Sequence, residues 1–407
     1  MVFRSDSDNL LCNKTLTKDF TDSKKDYIME RPVYLDYNAT TPVDPEVTNE
    51  MIPYIQDFFG NPSSSYSIGR DIKEAINKVR KQVASLINAT PEEIIFTSCA
   101  TESNNLAIHG FILANKDKGN HIITSAVEHP AVTEVCKYLT TLGYKITFLP
   151  VDNFGRVNPA DVERAIRSET ALITIMHANN EVGTIQPISE IASIAKKNNI
   201  TFHTDASQSI GKIEADVTKL GVGLLTIAGH KLYAPKGIGA LYIKQGIKIA
   251  NLFHGASQEK GIRPGTENVI YIVGLGKACE IAHRDFEKNS QNMQSMRDSL
   301  LNGLKNNLGD RIKVNVNLQN CLPNTLSVAF ENVEAHTLAS VISKDILIST
   351  GSACHADSVE ISSVLKAMNI DLMTAAGTVR ISTGKYTTMD EIERAVEIIT
   401  NTVLKLS

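Results

Sequence analysis

Apolar residues recur at helical intervals at Ile72, Ile76, Val79, Val83 and Leu86, followed by the unbroken apolar run Ile94-Ile95-Phe96. The first pattern predicts a helix with one buried stripe and the second a short buried strand. The alternation continues from about residue 71 to 243. Further β-rich runs occur at His121 to Thr124, Lys145 to Pro150, Ala171 to Met176, Ile200 to His203, Leu224 to Ile227 and Gly239 to Ile243, mostly separated by helix-length segments. Strands this rich in Ile, Leu and Val, without in/out alternation, are expected to be buried on both faces. That predicts an α/β fold with a largely parallel sheet covered by helices.

Near residue 285 the texture changes to a long polar stretch, Arg284 to Gly309, with Met293, Met296, Leu300 and Leu304 at helical intervals. A helix joining two domains is expected here. Strands are predicted around Thr325 to Phe330, Ile346 to Thr350 and Thr378 to Ser382, and helices at about 335 to 343 and 388 to 406, which suggests a smaller α+β domain. The sequence holds no internal repeat and no low-complexity tract.

At 407 residues the chain is long enough for two or three domains, each with its own core. A formal net charge of -4, from 41 basic and 45 acidic residues, leaves no basic excess to neutralise phosphates, so nucleic-acid binding is not expected as the main task. No stretch approaches a membrane span, and no apolar signal-peptide core begins the chain. Residues 1 to 31 hold six acids and six bases, unlike an acid-poor transit peptide, and are expected to form a polar, flexible extension. The expected location is the cytoplasm. The six cysteines show no metal-ligand spacing and are expected to be reduced thiols; no metal site is predicted.

Candidate chemistry begins at Ala228-Gly229-His230-Lys231, directly after the apolar run Leu224 to Ile227. A lysine at the end of a buried strand is partly desolvated, which lowers its pKa and suits it to forming a Schiff base with a carbonyl. Taken alone it reads more readily as a solvated loop lysine. Asp205 ends the strand before it, about 25 residues upstream. A parallel sheet would bring both to the crevice beyond the strand carboxyl ends, where pyridoxal phosphate needs a carboxylate against its pyridine nitrogen and a lysine at its aldehyde. Asp205 alone could as well cap a helix. Phe96 to Ser103 runs from a strand into a helix and offers free N–H groups, the helix dipole and the Thr101 hydroxyl to a phosphate. It could also be an ordinary capping box.

Ten segments together carry a family resemblance. Tyr34 to Pro42, Gly60 to Ser64, Ala100 to Asn105, Glu128-His129 and Asn179 to Gly183 form the first half. Asp205 to Gln208, Gly229 to Lys231, Arg263 to Asn268, Gly351 to Cys354 and Val379 to Ser382 form the second. In order and spacing they resemble the NifS/IscS cysteine desulfurases of the class V aminotransferase family over about residues 33 to 405. The resemblance implies a homodimer of fold-type I subunits. It divides the chain into a large cofactor domain at 46–284 and a small α+β domain built from 32–45 and 285–407.

Carried over residue by residue, Lys231 resembles the Schiff-base lysine, Asp205 the pyridinium partner, and Gln208 the donor to the cofactor's phenolic oxygen, with His129 stacked on the ring. Ala100, Thr101 and His230, with Thr266 from the partner subunit, resemble the phosphate ligands. Asn180 and Arg380 resemble the groups holding the cofactor and the substrate carboxylate, a role suited to arginine's planar fork. Without this company, His129 would read as a helix-start histidine and Arg380 as an ion pair on an edge strand.

Cys354 lies in the small, polar stretch Gly351 to Ser358, expected to be a mobile loop that carries a thiolate to the substrate. The implied reaction converts L-cysteine to L-alanine, leaves a persulfide on Cys354, and supplies sulfur to an acceptor or scaffold protein for iron-sulfur clusters or thio-modifications. Two departures from the family pattern stand out. Ala228 replaces a common serine, removing one hydroxyl from the phosphate site, and His355 follows the cysteine as in selenocysteine lyases. Selenocysteine lyase is therefore the alternative activity, and an inactive scaffold of the same fold the remaining one.

Overall fold

In the computed structural model, residues 31–355 and 358–407 are described, with side chains described outside 352–360. A seven-stranded sheet forms one centre of the chain. In chain order, a two-residue strand β1 (Val33–Tyr34) precedes the sheet strands β2 (Ile94–Thr97), β3 (His121–Ser125), β4 (Lys145–Leu149), β5 (Thr170–Thr174), β6 (Thr201–Asp205), β7 (Leu224–Ala228) and β8 (Gly239–Ile243). Their spatial order is β2-β8-β7-β6-β5-β3-β4. Strand β8 runs antiparallel to both its neighbours, and the remaining neighbouring pairs are parallel. The α/β expectation holds, and each apolar run that predicted a strand supplies one.

Both faces of this sheet are covered. Ile94, Phe96, Ile123, Ile173, Phe202, Leu225 and Ile227 belong to one apolar cluster, which includes the stripe Ile72, Ile76, Val79 and Val83 of the helix Ser67–Leu86. Ile95, Ile122, Leu172, Leu224 and Leu241 belong to a second. Alternate residues of one strand therefore enter different cores, which is why the runs show no polar phase. Gly276, in the helix Val269–Arg284, lets that helix approach Ser67–Leu86; a Cβ there would stand 2.7 Å from a Val79 methyl.

Polar side chains tie the strands crosswise. His121 on β3 bonds Thr147 of β4 and Thr170 of β5, and His203 on β6 bonds Thr174 of β5 and Thr226 of β7, at 2.8–3.1 Å. Burial holds both imidazoles down to about 4, so they are neutral and can accept as well as donate. At the β2 edge, Arg80 donates to the Ile94 carbonyl and Glu259 accepts from the Phe96 N–H, while the two side chains pair with each other. Two of the edge's outward backbone groups are thereby occupied, which disfavours further strand addition.

The second sheet orders β12 (Ser349–Thr350), β15 (Thr378–Ser382), β10 (Thr325–Phe330) and β9 (Ile312–Val314), all antiparallel. Leu326, Val328, Val379 and Ile381 pack with Leu300, Leu304, Leu338, Ile392 and Ile399 in a core of their own. The polar stretch forms a helix at Phe286–Leu308, separated from the preceding one by Asp285.

One strand expectation is corrected. Residues 346–350 do not form one strand: β11 (Ile346–Leu347) pairs in parallel with β1, while Ser349–Thr350 joins β15. The division gives the N-terminal segment a partner for its backbone groups. The loop expected at 351–358 also differs, since the backbones of β13 (Ser352–His355) and β14 (Ser358–Ile361) pair antiparallel; Ala356 and Asp357 lie outside the described residues. No helix among the described residues is long and apolar enough to cross a membrane.

Ile173 lies fully buried on β5 near the middle of the large sheet. Ile173→Val should cost about 0.5–1.5 kcal/mol and Ile173→Ala about 2–5 kcal/mol in equilibrium urea unfolding. An alanine variant within ~0.5 kcal/mol of the parent would show that the site is not close-packed.

Candidate active site

Parallel strands place their following loops on one side, and the candidate residues follow that rule. Asp205 is the last residue of β6; Lys231 follows β7, Thr101 follows β2, His129 follows β3, and Asn180 lies beyond β5. Ala100, Thr101, His129, Asn180, Asp205, Gln208, His230, Lys231 and Arg380 all line a cavity of about 390 Å³. Ala228 lines it too. Thr266 is exposed and absent from that lining, and the side chain of Cys354 lies outside the described residues.

Asp205 is 6% exposed. One carboxylate oxygen accepts from the Asn104 amide at 2.6 Å, and the other accepts from the N–H and hydroxyl of Ser207. These donors are neutral, and Asp205 makes no ion pair among the described residues. A buried anion held by neutral donors alone is costly, so this carboxylate is suited to receive a cation.

Lys231 supplies the opposing group. Its ammonium donates to the main-chain carbonyls of Asn38 and Ala39, the latter at 2.6 Å. Burial, then the Arg380 guanidinium, lowers its pKa to about 8, against the raising influence of Asp36 and Asp205. His230, beside it, is pushed down to about 4 by burial and by the charges of Lys231, Lys236 and Lys212. It is neutral and shares a 3.1 Å hydrogen bond with the Thr40 hydroxyl.

His129 combines two roles. Its Nδ1 accepts from the Ala131 N–H at 3.1 Å and caps the helix Pro130–Thr141, while the ring stands open at the cavity. Because Nδ1 accepts, the neutral ring carries its proton on Nε2. Enclosure by the cavity walls lowers its pKa, opposed by the Asp205 charge. The helix-start reading and the cavity reading are both realised.

Arg380 lies on β15, an inner strand rather than an edge. It pairs with Asp36 at 2.6 Å and donates to the Asn180 carbonyl at 3.0 Å; its buried Nε has no partner. The guanidinium is thus anchored but keeps unused hydrogen-bonding capacity.

Several contributors had no role assigned from sequence. Asn38 is 1% exposed: its amide donates to Thr325 Oγ1 and the Asn180 carbonyl, and its Oδ1 accepts from Asn324. Its place within the Tyr34 to Pro42 segment was the available signal. Glu128, next to His129, accepts from the Ser125 hydroxyl and the Met176 N–H and so joins the loops after β3 and β5. Cys99 also lines the cavity, without capping the helix Ala100–Asn105.

The chain belongs to the aminotransferase class-V family, whose model matches residues 33–395. It is 46% identical over 379 residues to the cysteine desulfurase IscS of Dictyoglomus turgidum, covering 93% of this chain and 96% of that one. With the cysteine desulfurase IscS of Methanosarcina thermophila it shares 47% identity over 377 residues, covering 92% and 93%. A solved structure described as a NifS-like protein superposes with a TM-score of 0.86 at 40% identity, covering 92% of this chain and all of the other.

Burial, with the nearby Asp205 charge adding to it, pushes the Glu128 carboxyl up to about 8 from an ordinary 4.5. In this range the folded state holds a proton that the unfolded state has released. The group's contribution to stability is fully present below about pH 4.5 and lost as pH rises to about 8. Glu128→Gln, which has no proton to lose, should show a smaller fall in melting temperature between pH 5 and pH 8 than the parent. Parallel pH profiles would remove Glu128 as the source.

Proposed function

We propose that the protein is a pyridoxal-phosphate-dependent cysteine desulfurase, converting L-cysteine to L-alanine with transfer of sulfur to Cys354. The observation that carries this reading is the buried Asp205 carboxylate, without an ion pair among the described residues, in one cavity with the lowered-pKa amine of Lys231. The IscS relatives and their extent of match support the same activity.

The residues fit the cofactor chemically. Asp205 suits a protonated pyridine nitrogen, the flat face of the His129 ring suits an aromatic plane, and Lys231 suits an aldehyde. The first-turn N–H groups of Ala100–Asn105, uncapped by Cys99, suit a phosphate, with Thr101 and neutral His230 as further donors. The cavity volume lies in the range of small-molecule sites. Pyridoxal phosphate, bound there, supplies an electron-accepting ring that stabilises negative charge at the substrate Cα.

The chain's own groups do the remaining work. Arg380, with Asn180 beside it, receives the substrate carboxylate through its unused donors. Lys231, partly neutral near pH 8, takes the Cα proton and later returns one. The Cys354 thiolate attacks the substrate Sγ; an S–S bond forms, the Cβ–Sγ bond breaks, and its electron pair stays with Cβ, which takes up a proton to become the alanine methyl. The persulfide then passes its sulfur to an acceptor protein for iron-sulfur clusters or thio-modifications. The exposed Thr266, acting on a partner's phosphate site, belongs to a homodimer in this reading. So does a domain division at 46–284 against 32–45 with 285–407, supported by the separate apolar cores.

A side-by-side assay of L-cysteine and L-selenocysteine, measuring alanine with sulfide or selenide, tests the substrate. Alanine and sulfide in equal amounts from cysteine are expected; turnover of selenocysteine alone would transfer the protein to the lyase class. Cys354→Ala should lower sulfide release from cysteine by more than ~100-fold, and undiminished release would defeat the persulfide route.

The pH dependence of Lys231 gives a separate test. The neutral amine that captures an aldehyde becomes dominant as pH rises through about 8. Uptake of pyridoxal phosphate by cofactor-free protein should therefore accelerate toward pH 8 and level above it. Lys231→Ala should retain no cofactor after borohydride reduction and denaturation. Retention in that variant would assign the linkage to another amine.

A further inference from the structure

Lys212 is buried, 5% exposed, and makes no ion pair among the described residues. Its ammonium donates to Gln208 Oε1 at 3.1 Å and to Asn38 Oδ1 at 3.4 Å. A lysine ammonium has donors only, so any amide facing it must turn its oxygen inward. This fixes which end of each amide points where. The Gln208 Nε2 group then gives one hydrogen to the Asn38 carbonyl at 3.0 Å, while the side chain lines the cavity. Turning the Gln208 amide over would set its NH₂ against the ammonium and its oxygen against the Asn38 carbonyl, two repulsive contacts in place of two bonds. The Asn38 amide is held in the same sense, since Oδ1 also accepts from Asn324 while Nδ2 serves Thr325 and Asn180.

We propose that Lys212 is a positioning residue of the cofactor site: its ammonium locks the Gln208 amide so that the second N–H of Nε2 is presented to an acceptor oxygen on the bound ring. The proposal rests on the pyridoxal-phosphate reading of the cavity. A buried cation facing only neutral oxygens is expensive, and burial together with Lys231 and Arg380 lowers its pKa to about 7, so the donor-only ammonium is the dominant form below that pH. A methionine of similar length would fill the same space without that cost. What the lysine alone provides is the one-way hydrogen-bond polarity. Lys212 acts through Gln208 and does not itself line the cavity.

A double-mutant cycle on cofactor affinity at pH 6, where Lys212 is protonated, tests this, using cofactor-free wild type, Lys212→Met, Gln208→Ala and the double variant, titrated with pyridoxal phosphate and followed by absorbance and protein fluorescence. Lys212→Met should bind roughly 10- to 100-fold more weakly, the worth of one well-placed hydrogen bond to a charged acceptor. It should melt within a few degrees of the wild type, because removing the buried charge offsets the unpaired Gln208 oxygen it leaves. In the Gln208→Ala background the same change should have an effect of less than about twofold. Independent, multiplicative effects would overturn the proposal while leaving the cofactor reading intact. A wild type that binds no pyridoxal phosphate would overturn both. If Lys212→Met does not fold, Lys212→Gln carries the same cycle, because a neutral amide can donate or accept and no longer dictates its neighbours' orientation.

Discussion

The main-chain carbonyl of Asn38 is where the molecule is tied together. It accepts from both Lys231 and Gln208, while the Asn38 side chain reaches Asn180, Asn324 and Thr325 and its N–H bonds Ser382 Oγ. Flanking residues continue the lacing: Thr41 takes the His230 carbonyl, and Asp44 N–H bonds the Tyr233 carbonyl. Such bonds contribute about 1 kcal/mol each, but breaking one leaves a buried partner unsatisfied at about 1–3 kcal/mol. The segment is therefore held as a set. The cavity wall exists because a short N-terminal stretch lies between the end of the large sheet and the second sheet.

The charge inventory around that wall explains what the cavity can hold. Lys231 stands within reach of the Asp205 and Asp36 charges, Arg380 pairs with Asp36, and Glu128 is kept protonated by burial, so it adds no anion beside Asp205. Cationic capacity on one side and one buried acid on the other match a ligand with an anionic end and a cationic ring. A protonated Glu128 joins two loops without disturbing that polarity. Lowered pKa values at His129, His203 and His230 favour the neutral, hydrogen-bonding form of these imidazoles.

Strand runs such as Leu224 to Ile227 and Gly239 to Ile243 were legible because burial on both faces leaves no polar phase to confuse the pattern. Asp205, Lys231 and His129 were legible because each sits at a strand or helix end, where local sequence sets the geometry. The division of 346–350 between two sheets was not, since pairing with Val33–Tyr34 bridges more than 300 residues of chain. Asn38, Asp36 and Lys212 escaped assignment for the same reason. Their roles consist of hydrogen bonds to partners such as Thr325, 287 positions away, which no local pattern encodes. The burial of Lys212 is a property of the packed chain.

The bond from Asn38 to Ser382 spans 344 positions and carries a consequence for biosynthesis. At a translation rate of roughly 5–20 residues per second, the early segment waits about 20–70 s for its far partners to leave the ribosome. The large sheet is complete by Ile243, but the loops at its carboxyl ends have no closing wall until β10 and β15 emerge. A ribosome-bound nascent chain therefore carries the lysine long before it carries the site. On the proposed reading, capture of the cofactor reports that β10 and β15 have emerged.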